Sequence, residues 1–588
     1  MTTLQTLIET STVSDLKEML AYFPGACKVG RKELLIASLW QQMSGDGMLR
    51  AWEQLDDCQR LAVGEATHDP DGIFHAKRFA AKYGQFPLFH HVRGQFQSRG
   101  AMTALGLFMY WIGDQLVIPA DLRARLKTFV PEPAPNTLAT VADLPQADAD
   151  GAPITVRSTA PDALQDAVVM LRAVDQQLIA VSDKTHLPGV AGLGVVSGKL
   201  AGGDFYEIAA PREKWEQGIG PIKALAWPLL LQAGGLAQLN GTKLGLTPAG
   251  VKWLRAAPAD VVRGIWRKWL TSTLFDELSR IDEIKGQKGK GRMSATPPRR
   301  AIVGAALQRC PVDAWVGVDE WSRFMRAEGF PLAICHDVGS LYIGDPNYGS
   351  LAYAGAQTWN VLQLRYLLCV LFEYCATLGM IDVAYRSPQG ARGDFGELWG
   401  TEDMSFLSRY DGLMYFRLTA LGAYCLELSD SYSPLAPAAS CTLAVHANLQ
   451  VKVTGDLSAD ERLMLDNWAV EESARLWRLD RDKAIAAIER GHDAAQLAAF
   501  LQARDSQPLP VQAESFLRTC SKHGKAMKLL GASLLIECVD PDTADLIAAH
   551  KDTARLCMRA GERHLVVRLD QEAKFRKAAR LLGYGIPV

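Results

Sequence analysis

At 588 residues, and roughly 150 per folding unit, the chain is long enough for about four units, which excludes a small disulfide module. Its composition, 48% hydrophobic and 22% charged with 50 glycines and 28 prolines, is that of a folded protein. Lys and Arg (63) nearly cancel Asp and Glu (65), so no global attraction to polyanions exists and any nucleic-acid face must be local.

The eleven cysteines form no CxxC pair. Cys369 and Cys375 stand six apart in the apolar run LRYLLCVLFEYCATLGM, away from zinc-knuckle spacing, and read as buried free thiols of a reducing compartment. Asp15, Lys17 and Glu18 interrupt any secretory signal, and no window approaches the roughly 20 apolar residues of a membrane helix. The expectation is a soluble cytoplasmic protein with no membrane partner.

Residues 1–130 read as short helices, with Ser11, Thr12 and Ser14 as caps and Leu34, Leu35, Leu39 and Met43 at helical spacing. A winged-helix-like arrangement of this front is one reading. Residues 131–153, rich in Pro, Ala and Asp with no apolar face, predict a linker. Within 154–284, the stretch 221–254 reads helix, strand LAQL, turn, strand KLGL and helix, with Thr247 as N-cap and Pro248 at the first helical position. That order is the order of a winged helix. Residues 285–300 predict a flexible basic loop. The unit repeats in 301–432, where a long apolar helix runs into a strand (361–385) and FRLTALG, capped by Thr419, matches LGLTPAG. Residues 441–588 alternate strands and helices over one normal domain size. The predicted class is multidomain, mainly α with winged-helix units, closed by a C-terminal α+β domain.

Cationic residues are the candidate site. KGQKGKGRMSATPPRR supplies Lys285, Lys288, Lys290, Arg292, Arg299 and Arg300 without an acid, a composition suited to phosphate backbone or to a plain solvated connector. Arg263, Arg267 and Lys268 flank Trp266 and Trp269, whose three-residue spacing fits base stacking or, better, core packing. Arg386 and Arg392 lie in YRSPQGARGDFG, which reads as an enlarged wing able to enter a minor groove, against the opposing charge of Asp394 and Glu397. Lys28, Arg31 and Lys32, and Lys77, Arg78 and Lys82, form lesser basic groups. The adjacent pair His90-His91 and the run Cys335-His336-Asp337 lack metal-ligand spacing, so no metal and no cofactor is expected.

The last domain resembles a known group. LQVKVTG followed by DLSADERLMLDNWA (449–469), RLWRLDRDKAIAAIERGHDAAQLAAFLQARDSQPLP (475–510) and SLLIECVDPDTADLIAAH (533–550) are similar to bacterial helicase-associated proteins that carry a domain like the N-terminal, damage-recognition-like domain of XPB/Ssl2 helicases. The resemblance implies DNA handling beside a helicase and identifies no catalytic residue. The motor itself is missing from the sequence: in GLGVVSGKL, Leu193 holds the first required Gly position of a phosphate loop and Leu200 the place of its magnesium-binding hydroxyl.

The sequence-based expectation is a non-catalytic DNA-binding or helicase-associated adaptor, acting on duplex or forked DNA with a separate ATPase, in genome maintenance or antiphage defence. A protein–protein scaffold and a cryptic metal-dependent nuclease using acids such as Asp382, Asp394 and Asp411 are the alternatives, although no spacing marks those acids as a two-metal site.

Overall fold

A computed structural model of the chain describes residues 3–26, 30–93, 98–207, 218–289, 291–433, 441–455, 457, 459–473, 475–528 and 530–587. The chain is a multidomain α/β protein with many helices and several small antiparallel sheets, divided into two compact units, Met1–Ala438 and Ala439–Val588.

In the first unit, the front helices close around Leu16, Leu20, Leu35, Leu39 and Met43, all buried. Thr12 caps helix Val13–Leu20 through a reciprocal box with Asp15, and Asp56 does the same for Asp57–His68 with Gln59. Helix Ala76–Tyr83 then packs on Val318–Glu328, where the Arg78 guanidinium donates to the Ala327 carbonyl at 3.3 Å.

Residues 131–153 form no helix, yet they are strapped down along their length by polar contacts. Asn136 bonds Glu328 and Arg323, the Ala139 amide donates to Glu320 at 2.9 Å, Val141 bridges to Trp315, and Asp148 pairs with Arg386. The strap runs directly into strand Thr155–Arg157, the edge of a four-stranded antiparallel sheet completed by Ile381–Tyr385, Leu413–Leu418 and Trp315–Gly317. A segment without an apolar face is therefore held by hydrogen bonds and ion pairs, which composition alone does not reveal.

Two hairpins have a shared local design. Thr247 caps helix Pro248–Trp253 through the Gly250 amide and donates to the carbonyls of Gly235 and Leu236. Thr419 caps Ala420–Cys425 through the Gly422 amide and donates to those of Gly379 and Met380. A Cβ on Gly250 would lie 2.1 Å from the Leu236 oxygen and one on Gly422 2.1 Å from that of Met380, so both positions require glycine. This is the physical content of the LTPAG and LTALG repeat.

The helices preceding the hairpins are sunk in the core. Every residue from Lys223 to Leu231 is buried, as is every residue from Leu364 to Cys375. Their few charges meet partners from distant segments: Lys223 pairs with Asp166 at 3.0 Å, Arg365 with Asp411 at 3.0 Å and Asp394 at 2.6 Å, and Glu373 with Arg280 at 2.9 Å.

The second unit has two small layers. Strands Cys441–Val445, Gln450–Gly455, Leu476–Leu479 and Ala469–Ser473 lie in that order, with a core including Trp468, Trp477, Leu497 and Leu501. A further sheet orders Ser533–Glu537, His564–Arg568 and Cys557–Arg559, backed by helices Pro541–Ala549 and Glu572–Leu581 over Cys538, Leu565, Val567 and Phe575.

The strap yields a pH test. The Arg323 hydrogen bond, aided by the Ala139 amide, holds the Glu320 carboxyl below its ordinary range. A depressed carboxyl stabilises the folded form above about pH 4.3, its unfolded value, and that contribution is lost as pH falls through the lower folded value. Hydrogen exchange should find the Ala139 amide protected at neutral pH and released as the pH falls through the lowered value of folded Glu320, whereas Glu320→Gln should weaken the protection at neutral pH.

Candidate nucleic-acid interface

The basic segment 285–300 divides into two parts. Helix Thr296–Leu307 starts earlier than expected, with its prolines in the first turn, where a missing amide is tolerated, so the expected flexible loop is corrected from Thr296 onward. Arg299 and Arg300 lie on that helix, 1% and 0% exposed. Arg299 makes a two-pronged pair with Asp276 at 2.9 and 2.5 Å, and Arg300 meets Glu277 at 2.6 Å. The Arg300 guanidinium also stacks 4.4 Å from the Trp269 ring and donates to the Trp269 and Ser272 carbonyls. Burial pushes the Glu277 carboxyl up, against the opposing pull of Arg300. These two arginines are structural, and neither reaches a ligand on the surface.

The remaining stretch is an excursion pinned at both ends. Lys285 and Tyr342 exchange backbone hydrogen bonds, His336 donates to the Arg292 carbonyl, and Ser294 donates to that of Ile334. Gly286 adopts φ 84° with the position of its absent Cβ 2.2 Å from the Ser340 oxygen, so only glycine lets the chain turn there. Lys285, Lys288 and Arg292 are exposed. Lys285 and Arg292 bond only carbonyl oxygens, of Asp282 and Gly286, and none of the three has an ion-pair partner among the described residues. Lys290 lies outside the described residues.

The other candidates are already engaged. Arg267 and Arg263 face Glu427 at 2.6 and 3.9 Å, and Arg263 sits over the Tyr424 ring. Trp266 and Trp269 are buried and stack on each other at 5.1 Å, which removes them as base-stacking platforms. Lys268 is exposed on the same helix. Arg386 and Arg392 do not stand at a wing tip: Arg386 is drawn to Asp148 of the strap, and Arg392 meets Asp319 at 2.6 Å. Among the lesser groups, Lys82 pairs with Glu65 at 2.7 Å, Lys77 is exposed, Arg31 is the exposed N-cap residue of Lys32–Ser44, and Lys28 lies outside the described residues.

The acids of the nuclease alternative are spread over different pairs. Asp394 and Asp411 flank Arg365, while Asp382 accepts from Arg417 at 2.7 Å and from the Thr159 amide at 2.9 Å. No group of three His, Cys, Asp or Glu side chains among the described residues is placed to hold a metal ion. Asp337 of the Cys335-His336-Asp337 run caps a local turn, and Cys335 is buried. The ten described cysteines are free thiols, nine of them buried, and burial pushes Cys310 and Cys425 up to about 12. No helix among the described residues is long and apolar enough to cross a membrane.

Sequence reasoning passed over Arg365 and Glu373, whose signal was available: a lone charge inside an apolar helical run is rarely buried without a partner. Removing one side of such a pair strands the other. Arg300→Ala should lower the stability of the first unit by about 3–5 kcal/mol, and Arg300→Met combined with Glu277→Met should recover most of it, as read from denaturant midpoints.

No family model and no curated protein matches this chain.

Proposed function

We propose that the protein is a non-catalytic adaptor that contacts nucleic-acid backbone through the 285–292 excursion and works beside a separate ATPase or helicase. The observation that carries this reading is the exposure of Lys285, Lys288 and Arg292 without carboxylate partners, on a segment fixed at both ends. Flexible cations on a pinned loop follow phosphates and read no bases, so the binding is sequence-blind and salt-dependent. The helicase association, and a place in genome maintenance or antiphage defence, rest on the resemblance of the last domain alone.

A winged-helix reading of the first unit is supported by element order. Helices Ala160–Asp175, Val190–Ser197 and Lys223–Ala233 precede hairpin Ala237–Asn240 and Lys243–Leu246, and Ala180 bridges to Lys243 as a third strand would. In 301–432, Trp315–Gly317 pairs with Leu413–Leu418 beside Ile381–Tyr385 in the same sense. The helix that would enter a major groove in each is buried, so groove reading is not the mode proposed. That burial favours the second reading, in which the winged units serve as protein scaffold.

Fluorescence anisotropy with labelled duplex, forked and single-stranded DNA separates the two. The wild-type protein is expected to lose duplex affinity with a log–log salt slope of about −3 to −4, one increment per phosphate neutralised. Changing Lys285, Lys288, Lys290 and Arg292 to Gln should abolish most of that slope, while Arg392→Gln should leave it unchanged. No binding to any DNA at low salt would overturn the reading in favour of the scaffold.

A further inference from the structure

The sheet edges of the second unit are blunted in different ways, with one exception. Strand Cys441–Val445 is covered, since the Leu443 amide donates to the Arg504 carbonyl and the Val445 amide to the Asp505 carboxylate. Strand Ala469–Ser473 carries Glu471 and Glu472 and a register shift. Strand Cys557–Arg559 is three residues long. Charges, bulges, short strands and covering loops are the devices by which native sheets avoid pairing with another chain.

Strand Ser533–Glu537 has only one of these, the terminal charge of Glu537, which its own neighbour Arg563 pairs at 3.0 Å. Its sequence SLLIE contains no proline or lysine, and its register against His564–Arg568 is unbroken over five residues. The Cys538 amide donates to Arg563 and the Leu569 amide to Ala532, which fixes the parity of the ladder. Even-numbered residues bond inward, so the amides and carbonyls of Ser533, Leu535 and Glu537 point to the outer edge. No other strand among the described residues pairs there.

The sheet face away from the helices carries an apolar row through its centre. Leu535, 67% exposed, stands beside Val566, and Val566 beside Met558, 58% exposed, which makes a row across all three strands on the face away from the helices.

We propose that this edge pairs with the same edge of a second copy of the chain, antiparallel, centred on Leu535. The pattern is self-complementary. A two-fold axis at Leu535 sets Ser533 opposite Glu537 of the mate, so the outward backbone groups of each strand meet those of the other and no like charges face. The two apolar rows join into one stripe running through both Leu535 side chains. The flanks agree in charge: the chain enters the strand with Lys525 and Lys528, exposed, and leaves it with Asp540, Asp542 and Asp545, and an antiparallel mate brings its leaving segment beside the entering one. Asp542 is free of any ion pair among the described residues, whereas Asp545 holds Arg559 at 3.0 Å.

The test uses the full chain. Light scattering after size exclusion across a dilution series should give twice the chain mass for the wild type, falling to one chain on dilution, and one chain throughout for Leu535→Lys. Under mild oxidation Leu535→Cys should form a covalent dimer, because directly opposed residues in a hydrogen-bonded pair lie about 5.5 Å apart at Cα, within disulfide reach. Ser533→Cys alone should not, but mixed with Glu537→Cys it should give the cross-linked heterodimer. A wild type that remains a single chain at every concentration overturns the proposal, as does a dimer that survives Leu535→Lys. If Leu535→Lys does not fold, the cysteine series decides, and cross-linking of Ser533→Cys equal to that of Leu535→Cys overturns the register.

Discussion

Charge compensation inside the core governs the first unit. Glu277, Glu373 and Asp411 are completely buried, and each is met by an arginine from a segment far away in sequence. Taking such ions out of water costs several kcal/mol each, which attraction offsets only when geometry is good and the remaining hydrogen bonds are filled. Here they are filled: Tyr374 and Tyr410 both donate to Glu373, Tyr366 to Glu277, and the amides of Leu407 and Ser408 to Asp411. A hydrophobic core accepts many arrangements, but these pairs accept one. They fix how the 276–283 turn, helix Thr296–Leu307, the 359–375 helical run and the 406–411 turn fit together, and the hairpins inherit their positions from them.

The same constraint divides the cations by residue type. The engaged ones are mostly arginines, whose planar fork can meet a carboxylate at two points and stack on a ring, as Arg299 and Arg300 do. Lysines predominate in the pinned excursion, where a strongly hydrated point charge on a flexible stem keeps its water and its reach. Counting basic residues in 285–300 mixes the two populations. Separating them needs the acids at 276 and 277, which precede the basic run and become its partners only once the chain has turned.

Local signals were legible where short-range chemistry decides the structure. The Thr247 and Thr419 caps, both hairpin-to-helix transitions and the mixture of strands and helices in the last domain follow from residues a few positions apart. The failures share a cause as well. Pro297 and Pro298 fall in the stretch expected to be a flexible basic loop although they occupy the first turn of a helix, and the Pro/Ala/Asp segment has the composition of a linker although Glu320, Arg323 and Arg386 hold it. Arg386 and Arg392 looked like wing-tip cations because their partners, Asp148 and Asp319, are distant in sequence. Long-range polar pairing leaves no periodicity in a chain, so composition assigns its members to solvent.

The buried thiols carry a chemical consequence. A sulfhydryl reacts with peroxide or a disulfide as its thiolate, and at about 12 for Cys310 and Cys425 the thiolate is roughly one molecule in 10⁵ at neutral pH. Burial also closes the approach to the sulfur. The nine buried thiols among the described residues are therefore shielded from oxidants for as long as the chain stays folded, and unfolding would release their reactivity together.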